Sequence, residues 1–374
     1  MLVSSCVIQK APITNIAWSK VAQLKNRDGR ISLGFAGAIN AVTNNVLVVA
    51  GGANFPEQMP WDGGRKYYSK EIHILQKFGD VFSWDAAVSR TLPVAIAYCG
   101  YTSTEFGIVY AGGENEAGLS KSAFLLQWNP DAHEVEVKPL PDLPVALTNI
   151  GLSHLNNVVY AVGGDQQSNS SNKVFSLDLN NQSPQWKKLP DMPVALANSL
   201  VIAQQGKLYV IGGRTKTASG ISDLQSSTYV YDPAKESWSN LAPISDSKSF
   251  SNFSAGTGLA IGEDYILVTG GDNGEVFHQI ETLIAQIAKT ASAEEKAQLM
   301  AKKNALSIHH KGFDRDVLLY HIKKNQWTTI GELPFPAPVT TSAALWEGRI
   351  VLSNGEVSPG VRTPNVMLGK INEK

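Results

Sequence analysis

Six times along the chain a run of aliphatic residues ends at a pair of residues suited to a tight turn. Val46-Leu47-Val48-Val49-Ala50 leads into Gly51-Gly52 and Ile108-Val109-Tyr110 into Gly112-Gly113; the same happens before Gly163-Gly164, Gly212-Gly213 and Gly270-Gly271. The sixth copy differs, with Arg349-Ile350-Val351-Leu352-Ser353 running into Asn354-Gly355-Glu356. Short apolar runs closed by turn residues read as buried strands. Further strands follow each pair: Glu71 to Leu75, Ala123 to Leu126, Val174 to Asp178 and Thr228 to Asp232 read as third strands. Trp84, Trp186 and Trp238 lie at or near the fourth. Three units open on nearly the same words, Leu92-Pro93-Val94-Ala95-Ile96, Leu143-Pro144-Val145-Ala146-Leu147 and Met192-Pro193-Val194-Ala195-Leu196, which read as first strands.

The period changes once. After Gly270-Gly271, residues Val276, Phe277, Ile280, Leu283, Ile284 and Ile287 fall on one helical face, and Ser292-Ala293-Glu294-Glu295 reads as a capping box opening a second helix. A helical insertion over about residues 275–306 accounts for the widest gap between copies. Because it leaves directly after the glycines, it should emerge on the rim that carries Glu356 and cover a pocket there.

A four-stranded unit cannot bury both faces alone, and six of them stacked radially can. The expectation is an all-β, six-bladed propeller forming one domain over residues 1–374, with the helices inserted in blade 5. Ile16-Ala17-Trp18-Ser19-Lys20-Val21 precedes any complete unit, while the last unit stops after Asn365-Val366-Met367-Leu368. The N-terminal strand should therefore complete the last blade and close the ring. Double glycines followed by Tyr and Trp at these distances resemble the kelch repeat, over nearly the whole chain.

Net charge is −1 and the pI about 6.7, so neither a nucleic-acid groove nor attraction to an anionic membrane surface is expected. No apolar run approaches the ~20 residues of a membrane span, and Met1 to Lys10 lacks the layout of a signal peptide despite the lipoprotein-like Val3-Ser4-Ser5-Cys6. Cys6 and Cys99 are too few for a disulfide framework. The adjacent His309 and His310 do not make a metal-ligand pattern, and neither a nucleophile elbow nor a nucleotide loop occurs. No metal and no cofactor are expected.

Loops that follow the double glycines open onto one rim, where Asn54, Glu114, Asn115, Asp165, Arg214, Asp272, Asn273 and Glu356 should converge. Fixed donors and acceptors with an arginine suit a hydroxyl-rich small molecule bearing a carboxylate. Glu356 stands out as a proton acceptor on a rigid strand end, with Arg362 six residues on to hold an anion. Arg65, Lys66, Tyr67 and Tyr68 form a candidate second wall.

Three stretches carry a narrower resemblance. Gly51-Gly52-Ala53-Asn54-Phe55-Pro56 with Gly63-Gly64-Arg65-Lys66-Tyr67-Tyr68, the loop Asn354-Gly355-Glu356 through Pro359-Gly360-Val361-Arg362-Thr363, and the helical insertion are similar to bacterial N-acetylneuraminate epimerases, the sialic acid mutarotases. The resemblance implies interconversion of the α and β anomers of a sugar acid. It gives Glu356 the part of proton acceptor and Arg362 that of substrate partner; from the chemistry of the residues alone, Arg214 is a second candidate for the carboxylate. Asn54, Arg65, Tyr67, Tyr68 and Asn273 would contact substrate, and Tyr67, Tyr68 or water would supply the acid. In better-known members the Asn-Gly-Glu blade lies mid-chain, so a cyclically permuted branch is expected. Members are typically periplasmic; the absence of an export signal in this sequence leaves a cytoplasmic location as the alternative. The competing reading is a non-catalytic kelch propeller that binds a protein or glycan. A copper oxidase on a related propeller lacks its Cys, Tyr and His ligands here.

Overall fold

The computed structural model describes residues 13–88, 91–245 and 251–373, so Val3-Ser4-Ser5-Cys6 lies outside the described residues. Six antiparallel four-stranded sheets stand in a ring. Blade 1 is Ile39–Thr43, Val46–Ala50, Ile72–Phe78 and Val81–Trp84, and blade 5 is Thr257–Ile261, Tyr265–Thr269, Asp316–His321 and Gln326–Glu332. The first strands touch one another around the axis and are therefore innermost. Blade 6 takes three strands from the C-terminal end, Ala343–Trp346, Arg349–Ser353 and Asn365–Glu373, and its outer strand from the other end, Ile13–Gln23. Trp18 pairs with Gly369 and Ile16 with Ile371 in this closure, as expected from the orphan strand.

Each blade interface has its own apolar cluster. Between blades 1 and 2, for example, Ile39, Val48 and Ile74 pack with Ile108, Tyr110 and Leu126. Outer-strand tryptophans add a polar stitch. Trp84 Nε1 donates to the Gln23 carbonyl (2.8 Å), Trp186 to Pro141 (2.8 Å), Trp238 to Pro190 (3.1 Å) and Trp327 to Ala242 (3.0 Å), each reaching the preceding blade or the connector that leaves it. Trp84→Phe keeps the ring but loses the stitch to the closing strand, so urea denaturation should show a loss of about 0.5–1.5 kcal/mol. An unchanged midpoint would mean the bond contributes nothing to closure.

The aliphatic runs end where they do because all five glycine pairs, and Asn354-Gly355 in their place, have positive φ. Asn354, at φ 58°, is the non-glycine residue best suited to that region. Its fully buried side chain accepts from the Phe35 N–H of blade 1 (3.3 Å) and donates to Ser353 Oγ (2.8 Å). The substitution that marks the sixth copy thus ties blade 6 to blade 1.

The Leu-Pro-Val-Ala segments are not first strands. Leu92 to Ile96 is an irregular connector whose Leu92 and Ile96 side chains are buried, and the first strand of blade 2 starts at Gly100. Proline lacks the N–H a ladder needs. These connectors end in left-handed residues, one per blade: Gly37, Tyr98, Asn149, Asn198, Ala255 and Thr340, with φ from 52° to 64°. Each N–H donates to the carbonyl of the residue in the neighbouring blade, closing a ring of six hydrogen bonds of 2.8–3.0 Å. That ring floors the mouth of the propeller on the side where the double-glycine loops emerge.

The helices are α1 (Glu275–Lys289) and α2 (Ala293–Ile308). Ser292 Oγ accepts the Glu295 N–H (3.2 Å), the half of the capping box that forms; the Glu295 carboxylate turns instead to Thr290. In α1, Glu281 accepts from the Ser222 N–H and hydroxyl of blade 4 (2.6 and 2.9 Å), while in α2 Asn304 donates to the Trp61 carbonyl of blade 1 (3.0 Å). The insertion therefore spans part of the mouth, above a cavity of about 790 Å³ lined by Asp272, Val276, Leu283, Leu306 and His310.

Candidate active site at the propeller mouth

Residues directly after the glycine pairs are Ala53, Glu114, Asp165, Arg214, Asp272 and Glu356, and each forms a short antiparallel bridge with the connector of its own blade. Blade 1 places Ala53 at this position, while Asn54 turns inward and donates to the Gly34 carbonyl (3.0 Å). The absence of a long side chain at Ala53 makes room for Arg362. Its Nε donates to the Ala53 carbonyl (3.3 Å), and its guanidinium carbon lies 4.9 Å from the centre of the Phe55 ring.

Glu356 and Arg362 face each other across a small hairpin, Glu356–Ser358 with Val361–Arg362. Side chains opposed in this way meet without long-range folding. Glu356 accepts from the Gly360 N–H (2.7 Å) and from Arg362 (3.2 Å), with Glu356 18% and Arg362 4% exposed. Gly360 is required in this turn: at φ 85° its added Cβ would lie 2.8 Å from Pro60 and 3.2 Å from Trp61. Trp61 is the residue to which α2 is hooked, so the Glu356 loop, the blade 1 loop and the helical insertion brace one another.

The other expected site residues are placed differently. Arg214 is buried against Asp165 at 2.6 Å, and Asp165 also accepts from Ser170 (2.9 Å) and Asn149 (3.2 Å). Arg214 is thus paired with Asp165, and Arg362 is the arginine paired with Glu356. Tyr68 donates its hydroxyl to Glu114 (2.8 Å); burial, then that carboxylate, hold the phenol well above its usual range. Tyr67 and Arg65 are exposed on the same hairpin, and Lys66 reaches Glu114 at 3.4 Å. Asn273 accepts the Glu275 N–H (3.0 Å) and so serves the start of α1.

Two groups enter the mouth that sequence reasoning did not assign. Tyr98, on the left-handed ring, has its phenol pKa raised by burial and then by the Glu356 charge, while Arg362 opposes the shift. His310 Nδ1 accepts the Gly312 N–H (3.0 Å), which fixes the proton of the neutral ring on Nε2. Burial lowers the His310 pKa against the pull of Asp272 and Glu356. Burial also raises Asp272, opposed by the Gly274 N–H and His310 and helped by the Glu356 and Glu281 carboxylates.

The sign of the Asp272 effect follows. A carboxyl raised on folding favours the native state fully below its unfolded value of 3.8, and that advantage is lost as pH rises through the folded value. Ionised Asp272 therefore costs stability at neutral pH. Asp272→Asn keeps the acceptor for Gly274 and should melt at or above the wild-type temperature near pH 7, the gap closing toward about pH 4. Parallel melting curves across that range would contradict a raised pKa.

Among the described residues no group of three or more His, Cys, Asp or Glu is placed to hold a metal, and no helix is long and apolar enough to cross a membrane.

Part of the chain is similar to known sequences. A chain from Brucella melitensis named N-acetylneuraminate epimerase is 28% identical over 237 residues, 62% of this chain and 59% of its own length. The protein of the same name from Salmonella typhimurium is 31% identical over 227 residues, 60% of this chain and 56% of its own. The chain thus spans less than two thirds of the relatives it matches. The sequence model of the N-acetylneuraminate epimerase family covers residues 140–374, which take in blades 3 to 5, the helical insertion and the Glu356–Arg362 hairpin of blade 6. With that match running over more than half of the sequence and through the loop that carries the opposed carboxylate and guanidinium, the chain belongs to the N-acetylneuraminate epimerase family.

Proposed function

We propose that this protein is an isomerase that interconverts the α and β anomers of N-acetylneuraminate or a closely related sugar acid. The observation that carries the reading is the Glu356–Arg362 pair, a proton acceptor and a carboxylate-binding cation held side by side on a braced hairpin at the mouth. The names of the relatives support the same class of reaction.

Mutarotation requires loss of a proton from the anomeric hydroxyl, cleavage of the bond from the anomeric carbon to the ring oxygen, and protonation of that oxygen; closure on the other face reverses each step. Glu356 accepts the first proton. Its position is fixed by the Gly360 N–H, so little reorganisation is needed at the moment of transfer. Arg362 has guanidinium N–H groups beyond those given to Glu356 and Ala53, and they form the fork that matches a C1 carboxylate. A match that starts at blade 3 also fits a family whose blades occur here in rotated order, since a continuous alignment breaks where the order changes.

The test is anomer exchange of N-acetylneuraminate followed by NMR with and without the protein. Acceleration that saturates with sugar is expected. If exchange stays at the solvent rate and the protein binds no sialic acid, the propeller is instead a binding module for a protein or glycan.

A further inference from the structure

We propose that the cavity beneath the helical insertion takes the N-acyl arm of the sugar, its apolar wall receiving the acyl chain while Asp272 and His310 bind the amide; the inference rests on the mutarotase reading above. The first observation is an apolar face left incomplete. Val276 and Leu283 of α1, Leu306 of α2 and Phe313 of the returning chain line the cavity of about 790 Å³, yet none of the described residues of either helix is buried. Each helix is tied to a different blade, Glu281 of α1 to Ser222 and Asn304 of α2 to the Trp61 carbonyl. The space under them is therefore a standing pocket of the size small ligands occupy.

The second observation is the chemistry of the polar wall. A secondary amide presents one N–H and one C=O, so it needs one acceptor and one donor. Asp272 and His310 both line the cavity. His310 Nδ1 accepts the Gly312 N–H (3.0 Å), which leaves the Nε2 proton to donate, and Phe313 rests against the ring with centroids 5.2 Å apart. Asp272 Oδ1 accepts the Gly274 N–H (2.8 Å), and a carboxylate has lone pairs to accept another. Burial raises the Asp272 pKa and lowers that of His310. Hydrogen bonds made in such surroundings are stronger than in water.

The third is direction. Arg362, the partner of the C1 carboxylate, stands on the blade 1 side of Glu356, against Ala53 and Phe55. The cavity stands on the blade 5 side. Asp272 holds in blade 5 the rim position that Glu356 holds in blade 6. A Cβ added at Gly312 would lie 3.5 Å from the Val357 carbonyl oxygen, so the turn that carries His310 rests on the Glu356 hairpin. In the sugar, C5 bears the nitrogen and lies across the six-membered ring from C2, which bears the carboxylate and the anomeric hydroxyl. With the carboxylate at Arg362 and the hydroxyl at Glu356, the amide edge faces blade 5. An acetyl group fills only a fraction of the cavity, so longer acyl chains should fit.

Calorimetry with sugars that differ only at C5 tests this. Compared with N-acetylneuraminate, the N-propanoyl and N-butanoyl analogues should bind more tightly, by up to about fourfold in Kd for each buried CH2. The analogue with a hydroxyl in place of the amide should bind about 10- to 30-fold more weakly. Ala305→Phe puts a ring into the cavity from an exposed position of α2, and should cost the N-butanoyl sugar at least about tenfold more in Kd than it costs the hydroxyl analogue. His310→Phe keeps a ring against Phe313 and loses the donor, so N-acetylneuraminate should weaken about fivefold more than the hydroxyl analogue. A loss shared equally by both sugars would strike His310 from the site. The wild-type series decides the matter even if a variant fails to fold. Wild-type binding that ignores the C5 group or weakens as the chain lengthens, or an Ala305→Phe that treats all the sugars alike, overturns the inference and leaves the mutarotase reading standing. A wild type that neither binds N-acetylneuraminate nor speeds its exchange overturns both.

Discussion

Glu356→Gln is expected to lower the catalysed exchange of N-acetylneuraminate anomers by about 10²- to 10⁴-fold, the range a positioned general base contributes. The substitution is close to isosteric, and each contact of the carboxylate has an amide counterpart. The Gln carbonyl can still accept from the Gly360 N–H and from Arg362, now 2.7 and 3.2 Å from the carboxylate oxygen, so the hairpin and its bracing by Trp61 should persist. What disappears is basicity, since an amide cannot take the anomeric proton. Binding should change in the opposite sense from rate. Removing the anion beside Arg362 leaves the guanidinium more available to the sugar carboxylate, and Kd should hold or fall. Saturation-transfer NMR for rate and calorimetry for binding separate the two. A variant that exchanges anomers at the wild-type rate removes Glu356 from the mechanism; one that loses binding in step with rate makes it a binding residue only.

The sequence disclosed the fold further than it disclosed the site, for a physical reason that particular residues make plain. A strand end that must turn left-handed is most readily occupied by Gly or Asn, so the five glycine pairs and Asn354-Gly355 announce the six blades. The 3.6-residue period of Val276 to Ile287 announces α1 in the same local way. Glu356 and Arg362 are legible together because their meeting is also local, a hairpin in which they stand six positions apart. Arg214 is the contrasting case: its partner Asp165 lies 49 residues away in another blade, and only the geometry of the closed ring shows that the pair is buried and matched. The Leu-Pro-Val-Ala segments have apolar residues at both ends and imitate strands, but their prolines and the left-handed residues that follow make them connectors. Tyr98 could have been found. Aligning Leu92 to Tyr98 with Leu143 to Asn149 and Met192 to Asn198 puts an aromatic where two repeats carry a left-handed-tolerant asparagine. His310 carries no sequence signal beyond its adjacency to His309, and its approach to Asp272 and Glu356 depends on how the chain returns from α2.

Arg362→Ala should weaken binding of N-acetylneuraminate by about 1.5–3 kcal/mol, the scale of a hydrogen bond to a charged group. The rate should fall beyond what binding explains, because the same guanidinium holds Glu356. A neutral hexose has no carboxylate to lose and should be nearly indifferent. Lys at this position restores the charge without the fork, and because the guanidinium now spans the Ala53 carbonyl, Glu356 and the face of Phe55 at once, only partial recovery is expected. The C1 methyl ester makes the decisive comparison, since it keeps the sugar's shape and removes the anion. Wild type should prefer the acid to the ester by roughly the same margin that Arg362→Ala costs, and in the variant the preference should vanish. Were wild type to bind acid and ester equally, Arg362 would not be gripping the carboxylate; its buried guanidinium would then serve only to hold Glu356 in register, and Arg362→Ala would lower the exchange rate while leaving Kd untouched.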